Sequence, residues 1–357
     1  MTVPPRKKPI LVTGGCGFIG SNLADSLLTA GEEVILLDNL SRPGVERNLA
    51  WLQERHGSGI HAVIADVREH GRADELVREV AAVFHFAAQT AVTTSMETPL
   101  EDFEVNARGT LNVLEAVRKS GRSIPVIFSS TNKVYGNLAD LALVALEDQY
   151  APSDDGLRAR GIGETRPLDF CTPYGCSKGV ADQYVLDYCH SFGIPSAVLR
   201  MSCIYGPRQF GTEDQGWVAH FLIRALEGKP ITIFGDGKQV RDILHVRDAV
   251  AAYRTVLGQI GKAAGRAFNL GGGPANTVSL QMVLREIARI LGRSIRIERA
   301  DWRPGDQLYF VADTRLLQEE LGWGAAVSWR DGLKDLAGWL GRERFGEDGL
   351  ATERLTA

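Results

Sequence analysis

The amino-acid sequence predicts an α/β protein built on a doubly wound parallel sheet, with a second, smaller lobe of mixed α/β structure. In the first 200 residues, short apolar runs alternate with amphipathic segments, which is typical of parallel strands covered by helices on both faces. A glycine-rich turn follows the first apolar run, and an acidic residue ends the second. These three observations together predict the fold class.

Strands are predicted where apolar residues form short unbroken runs, at residues 9–13, 33–38, 60–65, 82–86, 124–129 and 195–200. Helices are predicted where apolar residues recur every three or four positions, at Ser21–Ala30, Ala73–Val80, Phe103–Lys119 and Ser177–Phe192.

After Arg200 the elements become shorter, with a helix at Val218–Glu227 and a strand and turn at Ile231–Gly237. We therefore assign residues 1–200 plus 244–270 to a Rossmann-type domain. Residues 201–243 plus 271–357 are assigned to the second lobe.

The glycine-rich turn contains Gly14, Gly17 and Gly20. In a strand-turn-helix unit, the first glycine allows a tight turn, the second lets a pyrophosphate approach the backbone, and the third lets helix pack closely on strand. The alternative is an ordinary glycine-rich turn. The acid at Asp38, about twenty residues on, favours the first interpretation because such folds hold a ribose diol there. A carboxylate would repel a 2'-phosphate, so we expect NAD rather than NADP, although Arg42 weakens that preference.

Tyr174 and Lys178 stand four residues apart on a predicted helix, so both side chains lie on one face. A tyrosine titrates near ~10 and becomes a base at neutral pH only where a neighbouring cation favours the phenolate. Thr131 follows a predicted strand at the edge where a doubly wound sheet binds its ligand, so its hydroxyl would meet this pair. The alternative for Thr131 is a hydroxyl that caps the next element.

Composition excludes several classes of protein. A formal net charge of -4 over 357 residues offers no basic surface for nucleic acid. No segment has the ~20 apolar residues that a membrane-spanning helix needs. The five cysteines show no spacing typical of metal ligands, so we expect no metal, reduced thiols and a cytoplasmic location.

Further motifs join those above, namely Asp66-Val67, His85-Phe-Ala-Ala-Gln89, Val105-Asn106, Tyr205-Gly-Pro207, Arg241-Asp242 and Arg303-Pro-Gly-Asp306. With these motifs the chain resembles the extended short-chain dehydrogenase/reductase family, specifically its nucleotide-sugar epimerases and dehydratases. The resemblance covers roughly residues 8 to 335.

The resemblance implies a tightly bound NAD, regenerated in each turnover, and a nucleotide-sugar substrate. Thr131, Tyr174 and Lys178 would be catalytic. The implied cofactor-binding residues are Gly14, Gly17, Phe18, Ile19, Gly20, Asp38, Asn39, Ser41, Asp66, Val67, Phe86, Ala87, Ala88, Gln89, Asn106, Ser129, Tyr174, Lys178 and Met201. The implied substrate-binding residues are Thr131, Asn132, Lys133, Cys203, Gln209, Phe234, Arg241 and Arg303, with the last two holding the diphosphate.

The reaction type depends on the residues after Thr131. Dehydratases of the family carry carboxylic acids there, whereas this chain has Asn132 and Lys133, so epimerisation is expected. Longer motifs, among them 201–217, resemble a subgroup that inverts C2 of CDP-paratose or a related nucleotide-hexose through a 2-keto intermediate. The alternatives are a UDP-hexose 4-epimerase and a non-enzymatic NAD-binding sensor or scaffold. The predicted helices 103–119 and 177–192 resemble the pair that forms dimers in the family, so we expect a homodimer or homotetramer.

Two further expectations concern the surroundings of the site. Residues Leu138–Asp169 form a long connection that could cover the substrate or be a surface insertion without a role. His85 and His245 lie in apolar strand patterns, so structural roles are expected for both.

Overall fold

The computed structural model describes residues 8–69, 71–303 and 305–346; the outer ends of the two predicted domains, residues 1–7 and 347–357, lie outside the described residues. The strands, in chain order, are β1 Ile10–Thr13, β2 Val34–Asp38, β3 Ile60–Ile64, β4 Ala82–His85, β5 Val126–Thr131, β6 Leu143–Ala145, β7 Tyr150–Pro152, β8 Ser196–Met201, β9 Cys203–Tyr205, β10 Ile231–Phe234, β11 Val240–His245, β12 Arg266–Leu270, β13 Thr277–Ser279, β14 Ile297–Ala300 and β15 Tyr309–Phe310.

The helices are α1 Phe18–Thr29, α2 Val45–His56, α3 Arg72–Val77, α4 Val92–Glu97, α5 Pro99–Phe103, α6 Gly109–Lys119, α7 Asp155–Arg160, α8 Thr172–Phe192, α9 Trp217–Leu226, α10 Val246–Gly258, α11 Ile260–Ala263, α12 Leu280–Leu291, α13 Arg315–Leu321 and α14 Trp329–Phe345. A π-helical turn at Glu104–Arg108 joins α5 to α6.

Seven strands form the main sheet in the order β12-β8-β5-β4-β1-β2-β3. The pairings from β3 through β5 are parallel. The order reverses direction at β1, whose neighbours are β2 and β4, and ligands of such sheets bind at the carboxyl ends of the strands near that point. The predicted doubly wound Rossmann-type sheet is confirmed.

The inner strands of this sheet are buried on both faces because helices cover both faces. All four residues of β1 and all six of β5 are buried. The helices contribute one apolar stripe each; in α6 the buried residues include Val113, Leu114 and Val117, which belong to the same core cluster as Val83 and Val126. The alternating pattern in the sequence therefore corresponds to the layers of the fold.

The chain divides into two compact units. Unit 1 contains Met1–Val134, Thr172–Arg200 and Val250–Phe268, and unit 2 contains Tyr135–Cys171, Met201–Ala249 and Asn269–Ala357. Unit 2 contains a sheet of β13, β11 and β15 with β9 paired to β11, the parallel pair β10 and β14, and the hairpin β6–β7. Its core lies between α9, α12 and α14 and includes Phe221, Ile287 and Leu336.

These units differ from the predicted domains in three segments, because residues 135–171, 244–249 and 269–270 belong to unit 2 rather than unit 1. The first segment is held in unit 2 by specific bonds. The hydroxyl of Tyr135 donates to Asn269 Oδ1 at 2.8 Å, and Ile162 forms a β-bridge with Ala312. Residues 244–249 include the end of β11, where Leu244 pairs with Ile204 of β9.

The long connection 138–169 is partly regular. It contains the hairpin β6–β7 and the helix α7, and the hydroxyl of Tyr150 donates to Asp236 Oδ2 at 2.6 Å. Arg285 makes a two-bond ion pair with Asp148 at 2.7 and 2.6 Å. The three-residue strands are too short to give a periodic pattern in the sequence.

Candidate active site

The glycine-rich segment that joins β1 to α1 leaves no room for a side chain at Gly14 or Gly20. Gly14 has a φ of +65°, and a Cβ atom there would lie 2.7 Å from the amide nitrogen of Ala87. A Cβ on Gly20 would lie 2.2 Å from the carbonyl oxygen of Gly14. Gly17 precedes the first residue of α1, so the free amide groups of a 12-residue helix begin at this turn. The close approaches at positions 14 and 20 therefore require glycine.

Asp38, at the end of β2, connects that strand to the glycine-rich turn. Its carboxylate accepts hydrogen bonds from the amides of Cys16 and Leu40, both at 2.9 Å. Burial raises the pKa of Asp38, while the amide bonds favour its charged form. A helix N-terminus at a turn that contains three glycines, beside a carboxylate at the next strand end, fits a dinucleotide, with pyrophosphate at the amides and ribose at the acid.

Three of the predicted cofactor-binding residues, Asn39, Ser41 and Asp66, are linked by hydrogen bonds. Asn39 Nδ2 donates to Asp66 Oδ2 at 2.7 Å, and the amide of Ser41 donates to Asn39 Oδ1 at 3.1 Å. Arg68 binds both oxygens of Asp66 and lowers the pKa of that carboxyl to about 2. Asp66 is therefore ionised at neutral pH and is fixed by its neighbours.

Asn106 fixes the segment that follows β4. Its side chain pairs with the backbone of Gln89 in both directions, accepting from the amide at 2.9 Å and donating to the carbonyl at 3.1 Å. It also donates to Ser177 Oγ of α8 at 3.0 Å. Asn106 belongs to the π-helical turn, a feature often found at functional sites. The predicted residues Phe86, Ala87, Ala88 and Gln89 thus have a defined backbone position.

The structure brings the three predicted catalytic residues together in unit 1. Tyr174 and Lys178 are both buried on one face of α8, as their spacing predicts. The hydroxyl of Thr131, the last residue of β5, is hydrogen-bonded to the side chain of Tyr174. The ammonium group of Lys178 donates to the carbonyl oxygen of Ser129 at 2.6 Å.

The protein by itself disfavours the phenolate of Tyr174. Burial raises the pKa of Tyr174 to about 12, and the charge of Asp102 adds to that rise. The hydrogen bond from Thr131 and the charge of Arg42 act in the opposite direction.

Arg42 has a different role from the one its position in the sequence suggests. Its Nη1 donates to Thr90 Oγ1 at 2.5 Å, and its charge lowers the pKa of Tyr174. Arg42 is therefore engaged with the segment after β4 and with the tyrosine.

His85 is a structural histidine, as predicted. Nδ1 lies 2.6 Å from Thr13 Oγ1, and Nε2 lies 3.0 Å from Thr110 Oγ1. Burial lowers the pKa of His85 to about 3, so the ring is neutral. His245 is buried in unit 2, and its Nε2 lies 3.1 Å from Asp335 Oδ2.

The predicted substrate residues are divided between the units. Thr131, Asn132 and Lys133 are in unit 1, whereas Cys203, Gln209, Phe234, Arg241 and Arg303 are in unit 2, as is the predicted cofactor residue Met201. Lys133 and Asn132 follow Thr131 directly; the amide of Lys133 donates to Thr131 Oγ1 at 3.2 Å, and Asn132 is buried.

Within unit 2 each predicted diphosphate-binding arginine is paired with a carboxylate. Arg241 Nη2 lies 2.8 Å from Asp306 Oδ1. Arg303 Nη2 lies 2.9 Å from Glu213 Oε1, and its guanidinium carbon lies 3.8 Å from the centre of the Phe234 ring. Gln209 Nε2 donates to the carbonyl of Ile204 at 3.2 Å. Arg303 and Phe234 are thus neighbours.

Sequence reasoning missed a set of polar residues behind the predicted site. Asp102 accepts a short hydrogen bond from Ser177, and Asp182 pairs with Arg200. The signal for one of them is present in the sequence, since Asp182 continues the four-residue spacing of Tyr174 and Lys178.

Neither a metal site nor a membrane-spanning helix is found in the part of the chain that the structure describes. Residues 8–69, 71–303 and 305–346 contain no group of three or more His, Cys, Asp or Glu side chains placed to hold a metal ion. Among the helices of those ranges, none has the length and apolar character needed to cross a membrane.

Comparisons with known proteins point to one family. The model of the NAD dependent epimerase/dehydratase family matches residues 10–271. A CDP-paratose 2-epimerase from Salmonella typhi is 42% identical over 337 residues, which cover 92% of this chain and 98% of that protein.

Solved structures agree with the sequence comparison. The crystal structure of a UDP-glucose 4-epimerase from Thermotoga maritima with UDP-glucose matches with a TM-score of 0.81 and 30% identity, covering 94% of this chain and 99% of the other. A dTDP-glucose 4,6-dehydratase from Streptomyces venezuelae, solved with NAD bound, matches with a TM-score of 0.81 and 29% identity, covering 95% and 98%.

Proposed function

This chain belongs to the NAD dependent epimerase/dehydratase family, and we propose that within it the protein is an isomerase that inverts C2 of CDP-paratose or a related nucleotide-hexose. The carbon and the nucleotide follow from the likeness to the CDP-paratose 2-epimerase of Salmonella typhi, which spans nearly the whole chain.

The proposed reaction type rests on the residues at the end of β5. Thr131 is hydrogen-bonded to Tyr174, and the two residues after it are Asn132 and Lys133. Eliminating water from a sugar needs a carboxylic acid beside the tyrosine, and neither residue supplies one. Oxidation followed by reduction at one carbon requires only a proton-transferring group and the cofactor.

NAD, when bound by the glycine-rich turn and Asp38, supplies a hydride acceptor and then a hydride donor. Tyr174 would take the proton from the C2 hydroxyl as a phenolate and later return it to the same oxygen. Thr131 would hold that oxygen through its hydroxyl. Lys178 would contribute positive charge from the same face of α8.

Inversion requires the 2-keto sugar to present its opposite face while the nucleotide stays in place. Arg241 and Arg303 would hold the diphosphate, and Phe234 would contact the nucleotide beside Arg303, whose guanidinium lies over its ring. Rotation about the phosphate linkage then exposes the other face of C2. Because the cofactor is restored in every turnover, we expect it to remain tightly bound.

A UDP-hexose 4-epimerase is the second candidate, supported by the 30% identity to the Thermotoga maritima enzyme. By the family resemblance, Cys203 stands where 4-epimerases usually carry an asparagine that contacts the substrate diphosphate, so the sugar nucleotide would be held differently from UDP-galactose. A sensor or scaffold without catalysis is the third candidate, and the hydrogen bond between Thr131 and Tyr174, with Lys178 buried on the same helix, disfavours it.

We further propose a cytoplasmic homodimer or homotetramer. Large apolar side chains are exposed on the α4–α5 segment and on α8; they are Met96, Leu100, Phe103, Tyr184 and Phe192. A second copy of the chain would cover them. Light scattering should show a dimer or tetramer, and Leu100→Glu should shift it toward a monomer.

The test of the reaction is product NMR on a panel of CDP-, UDP- and GDP-hexoses, with no NAD added. We expect inversion of CDP-paratose at C2, with no deuterium from D2O at that carbon, because the hydride never exchanges with solvent. Inversion of a UDP-hexose at C4 would support the second candidate. Bound NAD without turnover of any sugar would support the third.

A further inference from the structure

Three consecutive residues of β5 contact three residues that are spaced one turn apart on α8. The carbonyl oxygen of Ser129 accepts from Lys178, Ser130 Oγ donates to Asp182 Oδ2 at 2.7 Å, and Thr131 is hydrogen-bonded to Tyr174. Positions 174, 178 and 182 lie on one helix face because they are four residues apart. Two of these three contacts belong to the proposed catalytic residues, and the third belongs to Asp182.

Asp182 is fully buried and bonded on both carboxylate oxygens. Arg200 donates to it through Nε at 3.0 Å and Nη2 at 2.9 Å, and Gln183 Nε2 donates at 2.9 Å. Arg200 is 5% exposed. Burying such a pair removes two charges from water, and apolar side chains of similar volume would often stabilise the fold as well. Stability alone is therefore a weak reason for this pair.

We propose that Asp182 is a positioning residue of the proposed epimerase reaction. Together with Arg200 it holds Ser130, and hence Thr131, in register with Tyr174, and its carboxylate lies one helical turn along the same buried face of α8 from Lys178, where it acts on the ammonium group. The inference rests on the proposed function in one respect, namely that Lys178 acts beside Tyr174.

The groups around Lys178 determine how the carboxylate of Asp182 affects the pKa of that lysine. Asp182 faces it from α8, Asp102 from α5 and His85 from β4, and the Phe128 ring of β5 lies 4.2 Å from its nitrogen. Burial lowers the pKa of Lys178 to about 7, whereas Asp182 and Asp102 raise it. His85 is neutral. The two acids are therefore the groups that oppose loss of the proton.

Removing the charge of Asp182 should lower the pKa of Lys178 further, so the lysine would lose its proton at a lower pH. An opposite charge nearby shifts a pKa by about one to three units, so we expect a shift of about one unit.

The experiment titrates Lys178 by NMR in the NAD-bound protein labelled with 13C at lysine Cε, with Lys178→Arg identifying the signal. Two variants remove the charge: Asp182→Asn, and the double variant Asp182→Asn with Arg200→Gln, which leaves no unpaired buried charge. Ser130→Ala is the matched control, since it removes a hydrogen bond to Asp182 and keeps the carboxylate.

We expect the midpoint of Lys178 to fall by about one pH unit in both Asp182 variants and to stay near the wild-type value in Ser130→Ala. The pH at which kcat/KM levels off should fall with it. An unchanged midpoint in a folded variant would overturn the proposal. Loss of folding in both variants would also overturn it, by assigning the pair to stability.

The NMR titration separates this proposal from the proposed function. It needs no substrate, so it gives the same answer whether the enzyme acts on CDP-paratose or on another sugar. A protein that turns over no nucleotide sugar but shows the shift would contradict the proposed function and leave the electrostatic role of Asp182 standing.

Discussion

The ammonium nitrogen of Lys178 lies 2.6 Å from the backbone carbonyl oxygen of Ser129, within unit 1. Because the acceptor is main chain, the position of Lys178 depends on where β5 ends and not on any side chain of that strand. The same strand end places Thr131 at Tyr174. The backbone at the end of β5 therefore fixes the positions of Tyr174, the proposed base, and Lys178, the neighbouring cation, relative to each other.

Lys178→Met should abolish most of the activity, since it removes the buried positive charge. In the wild type, burial lowers the pKa of Lys178 to about 7 from the usual 10.5, so the charged form is lost as the pH rises. We expect kcat/KM to rise with pH up to about 7 and then to level off, because loss of the Lys178 proton then offsets formation of the Tyr174 phenolate, whose pKa is about 12. The matched control is Lys119→Met, on the surface of α6. A wild-type kcat/KM that keeps rising with pH well beyond 7 would contradict the role of the ammonium group.

Tyr174→Phe should lower kcat by about 10^2- to 10^4-fold, the usual effect of losing an acid-base group. The ring stays in place, so the folded protein should still retain NAD, measured by absorbance after denaturation. Tyr184→Phe, an exposed tyrosine on the same helix, should have no effect. Near-normal turnover by the Tyr174 variant would remove this residue from the mechanism.

Thr131→Val should lower kcat/KM at pH 7 and at every pH below the pKa of Tyr174. The hydrogen bond from Thr131 lowers the pKa of Tyr174, against the larger effect of burial, which holds it at about 12. Removing that bond raises the pKa further, so a smaller fraction of Tyr174 is phenolate. Thr131→Ser keeps the hydroxyl and should keep the wild-type kcat/KM. Equal kcat/KM in both variants would show that the bond does not assist the tyrosine.

The parts of this molecule that the sequence predicts are those with local signals. The sheet follows from apolar runs, and the shared face of Tyr174 and Lys178 follows from helical geometry alone. The spacing of the glycines predicts their roles. The structure adds the physical reason, because a Cβ atom on Gly20 would collide with the carbonyl oxygen of Gly14.

The parts that the sequence does not predict depend on contacts between distant residues. Ser130 and Asp182 are 52 positions apart, and nothing near either residue indicates the other. The short strands β6 and β7 are similar, since three residues give no period and their place depends on bonds such as Tyr150 to Asp236. The pKa of Tyr174 is not predicted by the sequence either, because its largest cause is burial of the side chain in folded unit 1.

Gly20→Ala should destabilise the cofactor site. A Cβ there would lie 2.2 Å from the carbonyl oxygen of Gly14, so α1 or the turn must move. We expect the free energy of unfolding to fall by about 1–3 kcal/mol, as in other overpacked sites, and bound NAD to be lost on gel filtration. Gly258→Ala, whose new Cβ meets nothing within 4 Å, is the control. Full NAD retention in Gly20→Ala would show that the turn tolerates a side chain.

Glu213→Gln should strengthen the binding of CDP. Glu213 lies 2.9 Å from Arg303, a proposed diphosphate ligand, and its carboxylate must give way before a phosphate can take both guanidinium nitrogens. The pair is partly exposed, with 28% of the Arg303 side chain and 51% of the Glu213 side chain accessible, so it contributes at most about 1 kcal/mol. The dissociation constant for CDP, measured by calorimetry, should therefore fall by about two- to five-fold, and the effect should shrink as salt is added. Glu298→Gln makes the same change in net charge at an exposed position of β14 and should leave CDP binding unchanged. Weaker CDP binding in Glu213→Gln would mean that the carboxylate orients Arg303 for the diphosphate instead of competing with it.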